Sequence, residues 1–212
     1  GKLQSIEKFE DGKQIGVWKY YHYNENLKSI GSYDYGKQVG EWKAYHDNGK
    51  LSSIGKYDYG MYSGEWKNYH DNGELKSIIK YDYGRPTGIT KSYHKNTELS
   101  SLGDYSDGKV NGEWKYYHEN GKLRKIGKYF RGSKTGEWKI YHNNSQVYQK
   151  RLWKDGELMD IISCYDGEGN SLDRGTLING DGTVNVYNIE GELINILTYE
   201  DGKTEDVGLL VG

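Results

Sequence analysis

Six histidines are the residues in this chain best suited to chemistry, and they stand at one spacing: His22, His46, His70, His94, His118 and His142, each directly after a tyrosine. Imidazoles in register raise metal ligation first. A zinc ion needs its ligands within about 2.1 Å, whereas equivalent positions of successive two-stranded units lie two strands, about 10 Å, apart. No acid or cysteine recurs beside the histidines on the same face. Each ring is therefore expected to pack over a leucine such as Leu51 and to hydrogen-bond at a hairpin end. A pH-sensitive row of imidazoles is the remaining chemical use.

The other candidates for chemistry are weaker. Asp166-Gly167-Glu168-Gly169-Asn170 spaces acidic oxygens as calcium loops do, but Ser171 and Leu177 occupy the places of the required glycine and bidentate glutamate. These residues read as turns. Asn179-Gly180-Asp181-Gly182 opens a strand, so it lacks the helix N-terminus of a phosphate cradle. Cys164 is the sole cysteine and has no nucleophile pattern around it; it excludes an internal disulfide and leaves the redox compartment open. No carboxylate pair or nucleophile with a base stands outside the repeated pattern. The expectation is a protein that is not an enzyme, with no catalytic residue, no metal and no cofactor.

The elements that position these residues follow from the period. Offsetting the sequence by twenty-four residues superimposes Trp18, Trp42, Trp66, Trp114 and Trp138, with Thr90 where another tryptophan would fall. A fixed period in this range denotes a repeat array, each unit burying its apolar face by stacking on its neighbours. In the unit Glu41 to Gly64, Asn48-Gly49 separates two aromatic and β-branched runs, which predicts a two-residue type I′ hairpin turn. That turn pairs His46 with Leu51, Ala44 with Ser53, Trp42 with Gly55 and Gly40 with Tyr57 on one face, so that each large ring faces a small residue. On the other face it pairs Tyr45 with Ser52, Lys43 with Ile54 and Glu41 with Lys56, the last of opposite charge. Hairpins joined through Tyr57-Asp58-Tyr59-Gly60 predict an all-β fold: an elongated single-layer antiparallel β-meander of tandem 24-residue hairpin repeats. The face with Trp42, Leu51 and Tyr57 is the expected packing face. The lysines that follow each tryptophan position, such as Lys43 and Lys67, lie on the wetter face and serve solubility through their stems.

Along the chain, Gly1-Lys2-Leu3 matches Gly49-Lys50-Leu51, so the first unit is expected to be incomplete and something to precede it. Glu25-Asn26 replaces the glycine turn of the first hairpin and is expected to loosen it. The unit Gly84 to Asp107 departs most: Thr90 replaces tryptophan, Thr97 replaces the turn glycine, Pro86 is the only proline, and Ile79 replaces the small glycine just before it. Losing the indole while gaining Ile79 reads as volume compensation. Residues 1–164 are read as tandem hairpin repeats and 165–212 as divergent C-terminal repeats with an insertion over Asn170 to Asp181, acting as a cap. There aliphatics replace the aromatic surface.

Composition sets bounds. A mean hydropathy of −0.98 and 34% hydrophobic residues would fit disorder, but twenty-two tyrosines and six tryptophans supply large buried area at low side-chain entropy. The formal net charge of −2 comes from mixed charges and gives no footprint for nucleic acid. No apolar run reaches the length of a transmembrane helix.

The pattern Gly-x-Trp-x-x-Tyr-x-x-Asn-Gly-x-Leu followed by Tyr-x-x-Gly-x-x-x-Gly resembles the MORN-type repeat, in the bacterial variant form of the YwqK antitoxin family. The resemblance runs from Gly1 to about Val207 and is most specific from Gly36 to Gly136. It implies a non-catalytic, antitoxin- or immunity-like module that binds a protein partner, a toxin among the candidates. In such a binder the varying positions carry specificity: Tyr20, Ala44, Asn68, Ser92, Tyr116 and Ile140 on the strand, and the loop positions around Met61, Tyr62, Arg85 and Pro86. Tyr20, Tyr62, Asn68, Arg85, Tyr116 and Ile140 are the predicted partner-binding residues. The alternatives are a cell-envelope or carbohydrate-binding module and an architectural spacer of a larger surface protein. Exposed edge strands offer a route to self-association. Localisation is left open: cytoplasmic for an antitoxin-like role, envelope or extracellular if a signal precedes Gly1.

Overall fold

The computed structural model describes residues 4–204, so the predicted partial repeat at Gly1-Lys2-Leu3 and the expected end of the resemblance near Val207 lie outside the described residues. The strands are β1 (Ser5–Ile6), β2 (Phe9–Glu10), β3 (Lys13–Gln14), β4 (Gly16–Tyr21), β5 (Leu27–Asp34), β6 (Lys37–Tyr45), β7 (Leu51–Asp58), β8 (Met61–Tyr69), β9 (Leu75–Asp82) and β10 (Arg85–Tyr93). They continue as β11 (Leu99–Ser106), β12 (Lys109–Tyr117), β13 (Leu123–Phe130), β14 (Ser133–Tyr141), β15 (Val147–Lys154), β16 (Glu157–Cys164), β17 (Gly182–Tyr187), β18 (Leu193–Glu200) and β19 (Lys203–Thr204). There is no helix among the described residues. The main sheet is a 14-stranded antiparallel meander of β1 and β4 to β16, not closed into a barrel; β17-β18-β19 and β2-β3 form separate sheets. The chain divides into two compact units, one running to Ser100 and taking in Tyr105–Gly108, the other made of Ser101–Asp104 and the chain from Lys109 on.

The repeat hairpin shows how two departures from the predicted turn cancel. Asn48-Gly49 is not a type I′ turn. Of the loop residues only Gly49 has positive φ, at 82°, while Gly49 N–H donates to His46 O and His46 N–H to Lys50 O. This is a three-residue loop, a type I turn closed by a left-handed glycine. The longer loop shifts the pairing so that Tyr45 opposes Leu51, where Ser52 was predicted, and His46 does not pair with Leu51. A bulge between Ala44 and Tyr45 then absorbs Ser52. From Ala44 onward the predicted partners hold: Ala44 with Ser53, Lys43 with Ile54, Trp42 with Gly55, Glu41 with Lys56 and Gly40 with Tyr57. The type I′ turns sit at the other end of the strands, where Tyr59 and Gly60 have φ of 44° and 88° and Asp58 pairs with Met61.

The first hairpin is not loosened by losing its glycine. Glu25 takes φ of 71° and donates to His22 O at 2.9 Å, as Gly49 does to His46 O. Opposite Gly31, residues Gly40 to Trp42 form a second bulge, with Gly40 at φ of 68°, so each strand bends before its tryptophan.

In the second unit, β17 and β18 repeat the same hairpin, with Tyr187 opposite Leu193 after a bulge and Gly191 at φ of 86°. Val184 stands in the tryptophan's place. Leu158, Ile161, Leu177 and Val184 form a buried cluster, flanked by Trp153, Leu197 and Tyr199. Leu177 belongs to the segment read from sequence as an insertion. That segment and the β18–β19 turn lie along β16: Asp160 bridges to Ile178, Gly180 N–H donates to Met159 O, and Leu158 N–H to Gly202 O. They satisfy backbone groups that would otherwise form an open strand edge.

Candidate partner-binding face

Trp42, Trp66, Trp114 and Trp138 are each fixed by the strand before them, and the predicted pairing of ring with glycine needs that correction. Trp42 is the register partner of Gly55, but its indole lies flat over Gly31 of β5, and Gly55 in turn receives Trp66. A Cβ at either glycine would fall inside the indole. The ring N–H completes the anchor, with Trp42 Nε1 donating to Ser32 O at 3.2 Å and Trp66 Nε1 to Lys56 O at 3.0 Å. In the second unit, Trp114 covers Gly103 and Trp138 covers Gly127, donating to Asp104 O and Lys128 O. Burying an indole without a partner for its N–H would cost about 1–3 kcal/mol, so the repeated bond is part of the packing.

Two further side chains lock the hairpin tips. The Nε2 of His22, His46 and His70 bonds the carbonyls of Tyr45, Tyr69 and Tyr93, and those of His118 and His142 bond Tyr141 and Tyr165. Asn48 Nδ2 donates to Asp71 O, while its Oδ1 accepts from Lys50 N–H and shapes its own loop. The hairpin-end hydrogen bond expected of the histidines thus runs to the following hairpin. On the wetter face, Glu41 forms its ion pair along the strand with Lys43 at 2.9 Å rather than across to Lys56. Both groups are exposed, so the pair contributes little.

Over this frame lies an aromatic lattice. In the first unit Trp42 meets Tyr33 and Tyr57 edge-on, at centroid distances of 5.2 and 5.9 Å. Tyr62 packs against Trp66 at 4.5 Å and between Tyr57 and Tyr81 at 4.9 and 5.0 Å, yet remains 39% exposed. Burial first, then the hydrogen bond with Tyr62, pushes the Tyr57 hydroxyl well above the ordinary phenol range. Tyr20 is raised likewise, by burial and by its contact with Tyr33 at 3.5 Å. Where the strand side chain shrinks to Ala44, the lattice opens a hollow of about 260 Å³ walled by Trp42, Tyr57, Tyr62 and Trp66.

The predicted residues distribute unevenly. Tyr20 and Tyr62 belong to the lattice of the first unit, and Asn68 is held there by donating to Ser77 Oγ at 3.0 Å. Arg85 lies outside that lattice, its stem against Gly108, lining a separate hollow of about 300 Å³ with Asp82 and Asp107. In the second unit Tyr116 and Ile140 flank one residue, since Lys125 is the register partner of both.

That residue, with Lys134 and Arg151, was missed in the sequence reading. Lys125 Nζ stands 4.4 Å above the Tyr116 ring, and Lys134 Nζ lies 4.0 Å from the Trp153 ring and 5.3 Å from that of Trp138. The available signal was positional. Lys125 follows Ser29, Ser53, Ser77 and Ser101 at the same repeat position; Lys134 follows Gln38, Tyr62, Pro86 and Val110; Arg151 follows Gly31, Gly55, Ile79, Gly103 and Gly127.

Tandem hairpins, fastened to their neighbours by side chains at the tip and, at Trp42, Trp66, Trp114 and Trp138, by an indole over a glycine, define an open β-repeat protein. The chain belongs to the MORN repeat variant family, whose pattern matches residues 14–35, 38–59, 62–83, 110–130 and 134–155, just over half of the chain. The match skips the unit that carries Thr90 and ends before the cap. MORN repeats are typically protein- or membrane-interaction modules. No curated protein matches the chain. Solved structures with some likeness include a GtfA/B complex bound to UDP and GlcNAc, at 12% identity and TM-score 0.19 over 67% of this chain and 24% of that one. Another is TcdB2-TccC3, at 12% identity and TM-score 0.24 over 96% of this chain and 14% of that one. The chain thus spans a quarter or less of their length, and likeness this slight carries no argument.

Proposed function

We propose that this chain is a non-catalytic interaction module that binds a protein partner on the tryptophan face of its repeats, in the manner of an antitoxin or immunity protein. One observation carries the reading. The constant residues of the repeat are consumed by the neighbouring strand, the indole by a glycine and a carbonyl, the histidine and asparagine by the next hairpin tip. Set on this frame is the side chain that changes from unit to unit, Tyr20, Ala44 and Asn68 in the first unit and Tyr116 and Ile140 in the second. A rigid frame with variable tyrosine-rich positions suits protein hot spots, because little side-chain entropy is lost on binding.

The test is capture of a partner from lysate of the source on the immobilised chain, compared with Tyr62→Gln and Tyr116→Ala, which carry the residues found at Gln38 and Ala44. The expected result is one soluble protein retained in stoichiometric amount, with capture reduced about tenfold or more by each variant while a cooperative melting transition shows each variant still folded. Undiminished capture by both would remove the tryptophan face from the reading. A second reading, binding of carbohydrate at the cell envelope, is favoured by the aromatic-walled hollow at Ala44. Retention on isolated wall alone, insensitive to salt and reduced by Tyr62→Gln, would select it.

A further inference from the structure

Three cations converge in the second unit where the repeat elsewhere has none. Lys125, Lys134 and Arg151 each replace a neutral residue at their repeat position, and they lie on β13, β14 and β15, which are consecutive in the sheet. Among the described residues no carboxylate pairs with any of them. The second unit's ion pairs include Lys115–Glu113, Lys139–Glu137, Arg174–Asp160 and Lys203–Glu157. Arg151 spends Nε and Nη2 on Gln149 Oε1, at 2.8 and 2.6 Å, and that acceptor is uncharged. Beside Lys125, Arg124 has a buried Nε without a partner.

The electrostatics agree with the geometry. Burial first, then the charges of Lys125 and Arg151, lowers Lys134 to about 8. Burial, followed by Arg124 and Arg151, lowers Lys125 as well. No acid figures among the causes for either lysine. Like charges sharing a partly buried site without a counter-charge are costly, and rings beneath the ammonium groups recover only part of that cost. A bound anion would relieve the repulsion. The cluster is local in a chain of net charge −2, unlike the extended basic stripe that tracks nucleic acid.

We propose that Lys125, Lys134 and Arg151, walled by Tyr116, Trp138 and Trp153, receive the carboxylate side chains of an acidic segment of a protein partner. This rests on the protein-binding reading above and assigns it a chemistry. The ammonium and guanidinium groups take the carboxylates, and the rings pack the methylene stems. Charge complementarity at such a site also speeds encounter, so binding weakens as salt rises.

The test uses the full chain and a labelled polyglutamate peptide at low ionic strength, compared with the double variant Lys125→Ser/Lys134→Gln. Both substitutes are residues that other copies of the repeat carry at these positions, so the fold is expected to persist, and an unchanged melting curve checks this. The expected result is saturable binding that weakens about tenfold or more in the double variant. Lysine side-chain NMR signals of Lys125 and Lys134 should shift on titration. Equal affinity of both proteins, or binding of the wild type to phosphatidylserine vesicles but not to peptide, would overturn the proposal, the second result assigning the cluster to a lipid surface. Undiminished partner capture by the double variant, with capture still lost in Tyr62→Gln, would overturn this inference alone and leave the protein-binding reading standing.

Discussion

Trp66 at 7% exposure and Leu158 at 0% are both withdrawn from water, and they reach that state by different routes. Trp66 is covered on one side by the backbone of Gly55 and on the other by Tyr57 and Tyr62, all from its own strand or the strand before it. Leu158 sits where β16, β17 and the segment holding Leu177 meet, with Trp153, Leu197 and Tyr199 closing around them. Burial in the repeats is therefore a nearest-neighbour property, renewed at each unit, whereas burial in the cap depends on several chain segments arriving together. The first arrangement tolerates a weak member. At Ile79 and Thr90 the glycine and the indole are both gone, yet Thr90 is 4% exposed and its hydroxyl donates to Ile78 O at 2.9 Å.

The widest separation between the two regions is expected from Leu158→Ala. Removing a fully buried leucine forfeits its transfer free energy and leaves a cavity, together on the order of 3–4 kcal/mol. Because the cluster joins separate segments, amide hydrogen exchange should rise across β16, β17 and β18 together, with β5 to β8 unchanged. Exchange confined to β16 would show that the cap is as local as a repeat.

Gly55→Ala attacks the other mode and should cost less, on the order of 2 kcal/mol, since the indole of Trp66 must shift to admit the methyl group. Its exchange signature should stay within β7, β8 and their immediate neighbours. The natural exception provides a sharper form of the test. Gly55→Ile alone should be worse than Gly55→Ala, and Gly55→Ile combined with Trp66→Thr, which copies Ile79 and Thr90, should return to within about 1 kcal/mol of the parent. A double variant as unstable as the single would show that Ile79 and Thr90 do not compensate one another.

Much of this arrangement was legible in the sequence. The period located five of the six tryptophans, Trp153 falling instead at the repeat position of Tyr129, and the strand register from Ala44 inward was read correctly because the extra loop residue and the bulged Ser52 cancel. The turn type was misread for a physical reason. Asn-Gly is the strongest type I′ signal, but here Asn48 Oδ1 accepts from Lys50 N–H and its amide reaches Asp71 O, which favours the three-residue loop. The type I′ conformation falls instead to Tyr59-Gly60, where a tyrosine gives no such signal. The partner of each indole was misassigned because Cα register names the residue opposite, while a bulge at Gly40 tips the ring onto the strand before. At the candidate site, Tyr116 and Ile140 could be chosen by their variability, but the cations between and beside them emerge only when each repeat position is compared down the chain. Their convergence follows from strand order, since β13, β14 and β15 are neighbours in the sheet.

The smallest expected effect concerns the loops that have lost their glycine. Thr97 holds φ of 75°, with its N–H donating to His94 O at 3.0 Å, so the loop keeps the geometry of Gly49 despite a β-branched residue in the left-handed region. That conformation costs on the order of 1–2 kcal/mol for such a side chain. Restoring glycine recovers that strain but returns part of it as added freedom of the unfolded chain. Thr97→Gly should therefore stabilise the protein by only about 0.5–1 kcal/mol, read as slower amide exchange at His94 and Thr97 themselves. Glu25→Gly should show the same sign with a smaller gain, because an unbranched side chain is less strained at φ of 71°. If Thr97→Gly were instead destabilising, the loop conformation would be maintained by contacts of the threonine side chain, and the irregular unit would owe its shape to that residue rather than tolerate it.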